Sequence, residues 1–154
     1  MPLVEQLRCD VLILADFGEY VIRLSNGDTS MKNLELSGRS VLLVEDEPLI
    51  ALDLRQTLES AGAYVFAATQ LPHALQLAGH PDLSAAVLDY RIGHEDIAAI
   101  CSLLEQRGIP FVFYSGYDDM RQRWPNAVRV PKPANGHRLI EAVSGALRNY
   151  ATAA

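Results

Sequence analysis

Four short apolar runs in this chain each end on a residue able to do chemistry. Val41–Val44 runs into Glu45 and Asp46, Ala85–Leu88 into Asp89, Ile109–Tyr114 into Ser115, and Ala127–Val130 through Pro131 into Lys132. Adjacent acids at the end of a buried strand repel one another unless a cation holds them together. Oxygen ligands from Asp46, Asp89 and a backbone carbonyl just after Asp89 suit Mg²⁺, which takes carboxylates, waters and a phosphate oxygen. With a metal in place the carboxylates stay ionised, and Asp89 can attack phosphorus as a nucleophile. Phosphoryl transfer needs mainly positioning and neutralisation of the equatorial oxygens. Mg²⁺ would take one oxygen, the Ser115 hydroxyl a second and Lys132 a third, with Gly116 leaving room for the backbone to approach. Each group alone has a plainer reading: a solvated acidic loop at 45–47, a strand-end cap at Asp89, a Ser-Gly turn, a surface lysine. Four such groups, each at the end of an apolar run, favour the functional reading.

Those runs must be held at one edge, and the rest of the chain is patterned to do it. Ile50, Leu54, Leu58 and Ala61 form one helical stripe over 49–61, opened by Pro48 in the first turn and stopped by Gly62. Tyr64–Ala67 reads as a second strand, and 70–79 as a helix ended by Gly79. Ile97, Ile100, Cys101 and Leu104 mark a helix closing at Gly108, and Leu139, Ile140, Val143 and Leu147 mark a last one over about 135–149. A short helix is expected over Asp118–Arg123. Apolar strands alternating with helices call for a parallel sheet with helices on both faces, an α/β architecture with right-handed crossovers. In such sheets ligands bind beyond the carboxyl ends of the strands.

The first 38 residues are read as an extension to a domain covering 39–150. Val11–Ala15 and Tyr20–Leu24 look like strands, so a hairpin is one reading and a leader another, since Met31 could equally start a chain with the later domain intact. Residues 1–30 are expected to be dispensable for the chemistry. Hydrophobic residues make up 49% of the chain and charged ones 21%, which suits a soluble globular protein. A net charge of −6 argues against binding nucleic acid through a basic face. No run is long enough to span a bilayer and no signal peptide is present, and Cys9 and Cys101 fit reduced thiols, so a cytoplasmic protein is expected. His73, His80, His94 and His137 share no metal-ligand spacing and receive no role.

The motifs Val-Glu-Asp-Glu-Pro, Val-Leu-Asp-Tyr-Arg, Tyr-Ser-Gly-Tyr and Val-Pro-Lys-Pro, in this order, resemble the receiver domain of two-component response regulators over roughly residues 39–150. The resemblance implies a doubly wound, flavodoxin-like five-stranded parallel sheet of strand order 2-1-3-4-5. It implies Asp89 as phosphoacceptor and metal ligand, Asp46 as a direct Mg²⁺ ligand, the Arg91 backbone carbonyl as another and Glu45 as a second acid acting mainly through water. Ser115 stands for the commoner threonine, and Lys132 is the phosphate-binding lysine, with a cis bond to Pro133. Arg91, two residues after Asp89, is read either as tuning phosphate lifetime or as solvated. The expected function is a single-domain response regulator of a phosphorelay. It would take its phosphoryl group from a histidine kinase or phosphotransfer protein, as a monomer or homodimer. It would catalyse nothing beyond its own phosphorylation and dephosphorylation. With no output module after the domain, it would signal by contact with a downstream protein or serve as a phosphate shuttle or sink.

Two departures bear on signalling. Family members often carry Tyr or Phe three residues before the lysine, where this chain has Arg129. Phe111–Tyr117 is similar instead to a subgroup with a Phe-Ala-Thr-Gly signature, with Tyr114 in place of its alanine. The signal is therefore expected to travel through 115–123 rather than through Arg129. Other readings carry less. A flavodoxin-like cofactor binder needs a hydroxyl- and glycine-rich loop where Glu45-Asp46-Glu47 would repel a phosphate. A haloacid-dehalogenase-type phosphatase needs an aspartate where Pro48 stands, and an inert receiver-like scaffold does not call for the complete set of five site residues.

Overall fold

A computed structural model of the chain describes residues 34–93, 96–116 and 123–153. Val41, Leu42, Leu43 and Val44 are all buried, as a strand covered on both faces requires. They lie in β1 (Ser40–Val44), which pairs in parallel with β2 (Tyr64–Ala68) on one side and β3 (Ala85–Leu88) on the other. Beyond β3 come β4 (Phe111–Ser115) and then β5 (Val128–Pro131), giving the order β2-β1-β3-β4-β5 with every pairing parallel.

The two-residue period of the strands divides the core in two. Leu42, Val44, Ala86, Leu88 and Phe113 pack with α2 (Leu71–Ala78) and α3 (Ala98–Gln106) through Ala74, Ala78, Ile100 and Leu104. Val41, Leu43, Ala85, Val87 and Val112 face the other way, against Leu54 and Leu58 of α1 (Pro48–Ser60) and Leu139 and Val143 of α4 (Gly136–Ala153). Cys101 is sealed in the first of these layers, and burial pushes its thiol pKa up to about 12.

The described residues fall within one unit, Lys32–Ala154. Leu36, in the stretch read from sequence as an extension, is fully buried in the α1/α4 layer, and its amide donates to the Ala61 carbonyl at 2.9 Å. The turn opposite needs glycine: Gly62 has φ 92°, and a Cβ there would meet Leu34 Cβ at 3.0 Å and Ser37 Cα at 3.1 Å. The packed core thus begins before Arg39.

Some element boundaries differ from expectation. The strand expected at 109–114 runs from Phe111 to Ser115, because the left-handed Gly108 (φ 66°) and the amide-less Pro110 occupy its approach. The last helix continues to Ala153. The expected strands at 11–15 and 20–24 lie outside the described residues, as does nearly all of the short helix expected over Asp118–Arg123. No helix among the described residues is long and apolar enough to cross a membrane.

Candidate functional site

Parallel strands put all their carboxyl ends at one edge, and there the chemistry-bearing residues gather. The Asp89 amide donates to the Val44 carbonyl at 2.8 Å, which places Asp89 beside the Glu45-Asp46 pair that follows β1. Carboxylate oxygens of Glu45, Asp46 and Asp89 lie within 4.8 Å of one another. Glu45 and Asp89 are buried, and Asp46 is exposed at the rim. Three convergent carboxylates are the hard oxygen donor set that Mg²⁺ takes, so these residues fit the ion.

Lys132 reaches this cluster from the end of β5. Its Nζ donates to Glu45 Oε2 at 2.6 Å and to Asp89 Oδ2 at 3.0 Å. The Lys132–Pro133 peptide is cis. The Lys132 amide donates to the Ser115 carbonyl at 3.2 Å, so the ends of β4 and β5 are tied beside the site. Ser115 itself is fully buried. Burial favours the neutral form of Glu45 and raises its pKa, against the opposing pull of Lys132 and of the Glu47 amide. Burial also opposes the charge on Lys132, but its bonds to Glu45 and Asp89 more than offset that and hold its pKa above the ordinary lysine value.

Backbone amides fix the acids further. Arg91 donates its amide to Asp89 Oδ1 at 3.1 Å, and Glu47 donates to Glu45 Oε1 at 3.1 Å. Asp46 Oδ2 accepts the amide of Gly93 at 2.9 Å. Gly93 adopts φ 56°, a left-handed turn that glycine enters without steric cost. Arg129 is half-buried, and its Nη2 donates to the Ser115 carbonyl at 3.4 Å. Tyr90, next to Asp89, packs edge-on to Phe113 and Trp124 with ring centroids 5.9 and 6.2 Å away.

The structure thus brings Glu45, Asp46, Asp89, Ser115 and Lys132 to one edge, with Arg91 contributing its amide to Asp89. Three participants were not read from sequence. Gly93 as a clamp on Asp46 had only its glycine, a few residues past a site acid, as a signal. The direct grip of Glu45 on Lys132 had none, since the two residues are far apart in the chain. Tyr114 lies with its ring centroid 5.3 Å from Lys132 Nζ, and its signal was an aromatic directly before the site serine. His80 stacks on Phe66 at 4.7 Å, and the exposed His137 faces Glu141, so neither joins the site.

No protein-family model matches the chain. The phyllosphere-induced regulator PhyR of Methylorubrum extorquens is 28% identical over 114 residues, which are 70% of this chain and 43% of that protein. This chain therefore spans less than half of that curated relative. Among solved structures, a response regulator receiver protein from Sinorhizobium medicae superposes with a TM-score of 0.66 at 26% identity, covering 75% of this chain and 98% of that one. The chain has the fold of a response-regulator receiver domain. A PhyR anti-anti-sigma factor variant from Bartonella quintana also matches, with a TM-score of 0.66 at 24% identity over 78% of this chain and 53% of that one. In receiver terms, the acid cluster after β1 and β3 and the lysine after β5 occupy the carboxyl edge of the sheet, where the order of the strands reverses around β1 and β3.

Proposed function

We propose that this receiver domain accepts a phosphoryl group on Asp89 from the phosphohistidine of a histidine kinase or phosphotransfer protein. The observation that carries this reading is the Lys132 ammonium bridging Asp89 and Glu45 beside the Asp46 carboxylate. An Asp89 carboxylate oxygen forms the new P–O bond while the P–N bond to the donor imidazole breaks, and the imidazole leaves with that electron pair. Lys132 turns from the carboxylate to a phosphoryl oxygen, and the Ser115 hydroxyl donates to another. The Arg91 amide holds Asp89 Oδ1 and so aims the carboxylate. Asp46 and Asp89, with the Arg91 carbonyl and with Glu45 through water, would hold Mg²⁺, which when bound neutralises charge on the phosphoryl oxygens.

The protein on this reading is a signalling component and not an enzyme acting on other molecules. Its output is contact with a downstream protein, or storage and relay of the phosphoryl group in the cytoplasm. A relative that is by name an anti-anti-sigma factor supports a protein as the recipient of the signal. Fluorine NMR with beryllofluoride, a phosphoryl mimic, tests the site. A bound resonance is expected with Mg²⁺, and none for Asp89→Asn or in excess chelator; a bound resonance in Asp89→Asn would refute the assignment.

A further inference from the structure

The Lys132 ammonium has a neighbour besides its two carboxylates. Tyr114, on the strand position before Ser115, is 6% exposed and presents its ring with the centroid 5.3 Å from Nζ. Its hydroxyl accepts the amide of Ala134, the residue just past Pro133, at 3.4 Å. One side chain therefore touches both the charged tip of Lys132 and the backbone of the turn that carries it.

The chemistry of the step gives this contact a use. A lysine side chain has four flexible torsions and a point charge, and two carboxylates on one side attract it without fixing its direction. When Asp89 is phosphorylated, an Asp89 oxygen bonds to phosphorus, the bond from phosphorus to the donor breaks, and the donor leaves with the electron pair. Negative charge then moves from the Asp89 carboxylate to the phosphoryl oxygens, and Lys132 must follow it. An aromatic face attracts an ammonium within about 6 Å and does so over a broad area. It keeps hold of the charge while the anionic partner changes.

We propose that Tyr114 is a positioning residue for phosphoryl transfer, its ring holding the Lys132 ammonium in place as its partner passes from carboxylate to phosphoryl oxygen. The inference rests on the reading of Asp89 as phosphoacceptor, and its test has one arm that does not depend on that reading. Tyr114→Phe keeps the ring, and Tyr114→Leu removes it. In the first arm, NMR of the unphosphorylated protein reads the Lys132 Hε protons. An upfield ring-current shift is expected in the wild type and in Tyr114→Phe, and its loss in Tyr114→Leu; unshifted protons in the wild type overturn the contact.

In the second arm, labelling by acetyl phosphate with Mg²⁺ is followed at saturation, the P–O bond to acetate breaking as Asp89 bonds to phosphorus. Tyr114→Leu should lower the limiting rate about fivefold, with Tyr114→Phe within about twofold of wild type. The half-saturating acetyl phosphate concentration should be unchanged in both. A Tyr114→Leu protein labelled at the wild-type rate overturns the proposal. Should that variant fail to fold, Tyr114→pentafluorophenylalanine keeps the shape of phenylalanine with a reversed quadrupole and should show the same slowing; wild-type labelling there has the same negative force. A wild type that takes no label refutes the phosphoacceptor reading and with it the role of Tyr114 in transfer, whereas the shift arm still decides the contact.

Discussion

Glu45 and Lys132, 87 residues apart in sequence, form a 2.6 Å hydrogen-bonded ion pair in which the carboxylate is 1% exposed and the ammonium side chain 21%. The pair joins the end of the second strand in the sheet to the end of its last, across the edge where Asp89 sits. A buried acid is tolerated only with such a partner, because desolvation of a lone carboxylate costs several kcal/mol. On the proposed function the same ammonium meets a phosphoryl oxygen, so structural and chemical needs converge on one atom.

Removing the ammonium should therefore cost stability as well as chemistry. Lys132→Met is expected to lose about 1–3 kcal/mol in urea denaturation. Adding Glu45→Gln should restore part of the loss, since the acid is then no longer left alone. A double variant as unstable as the sum of the two singles would contradict the pairing.

Gly62 sits at φ 92° with Leu34 and Ser37 against the place a side chain would take. Gly62→Ala is expected to destabilise by about 1–3 kcal/mol. It should also loosen residues 34–38, read as faster amide exchange at Leu36, whose amide is bonded to the Ala61 carbonyl. Unchanged stability would mean that this turn does not fasten the segment to the domain.

The buried Cys101 thiol, raised to about 12, stays protonated at every ordinary pH. The sign follows from burial: stability from keeping that proton is complete below the ordinary thiol range and is lost as pH rises through about 12. Iodoacetamide at pH about 8.5 should leave Cys101 unmodified in the native protein and label it in denaturant, as read by peptide mass spectrometry. Fast native labelling would contradict its burial.

Asp46 is the exposed member of the acid cluster and is held by Gly93. Asp46→Asn should weaken Mg²⁺ binding by about tenfold or more. Trp124, the chain's one tryptophan, packs on Tyr90 next to Asp89, so its fluorescence can follow the titration. Equal affinity in wild type and variant would remove Asp46 from the metal site.

Much of this was legible in the residues themselves. Val41–Val44 and Ala85–Leu88 are apolar without alternation, which is what strands covered on both faces require. The acids that follow them had no place but the edge of the sheet. The resemblance supplied the strand order, which local patterns cannot give because it depends on contacts between distant segments. What stayed hidden has the same cause. The grip of Glu45 on Lys132 and of Gly93 on Asp46 joins residues 87 and 47 positions apart, and no periodicity encodes such pairs. Tyr114 in a strand reads as core, and only the third dimension brings its ring to an ammonium. Leu36 stood among polar neighbours and gave no sign that it closes the α1/α4 layer.

Acetyl phosphate and Mg²⁺, followed by intact-mass spectrometry, test the central claim most directly. The wild type should gain one phosphoryl group, Asp89→Asn none, and the wild type in excess chelator none. Undiminished labelling of Asp89→Asn, or a wild type that takes no label at all, would contradict Asp89 as the phosphoryl acceptor.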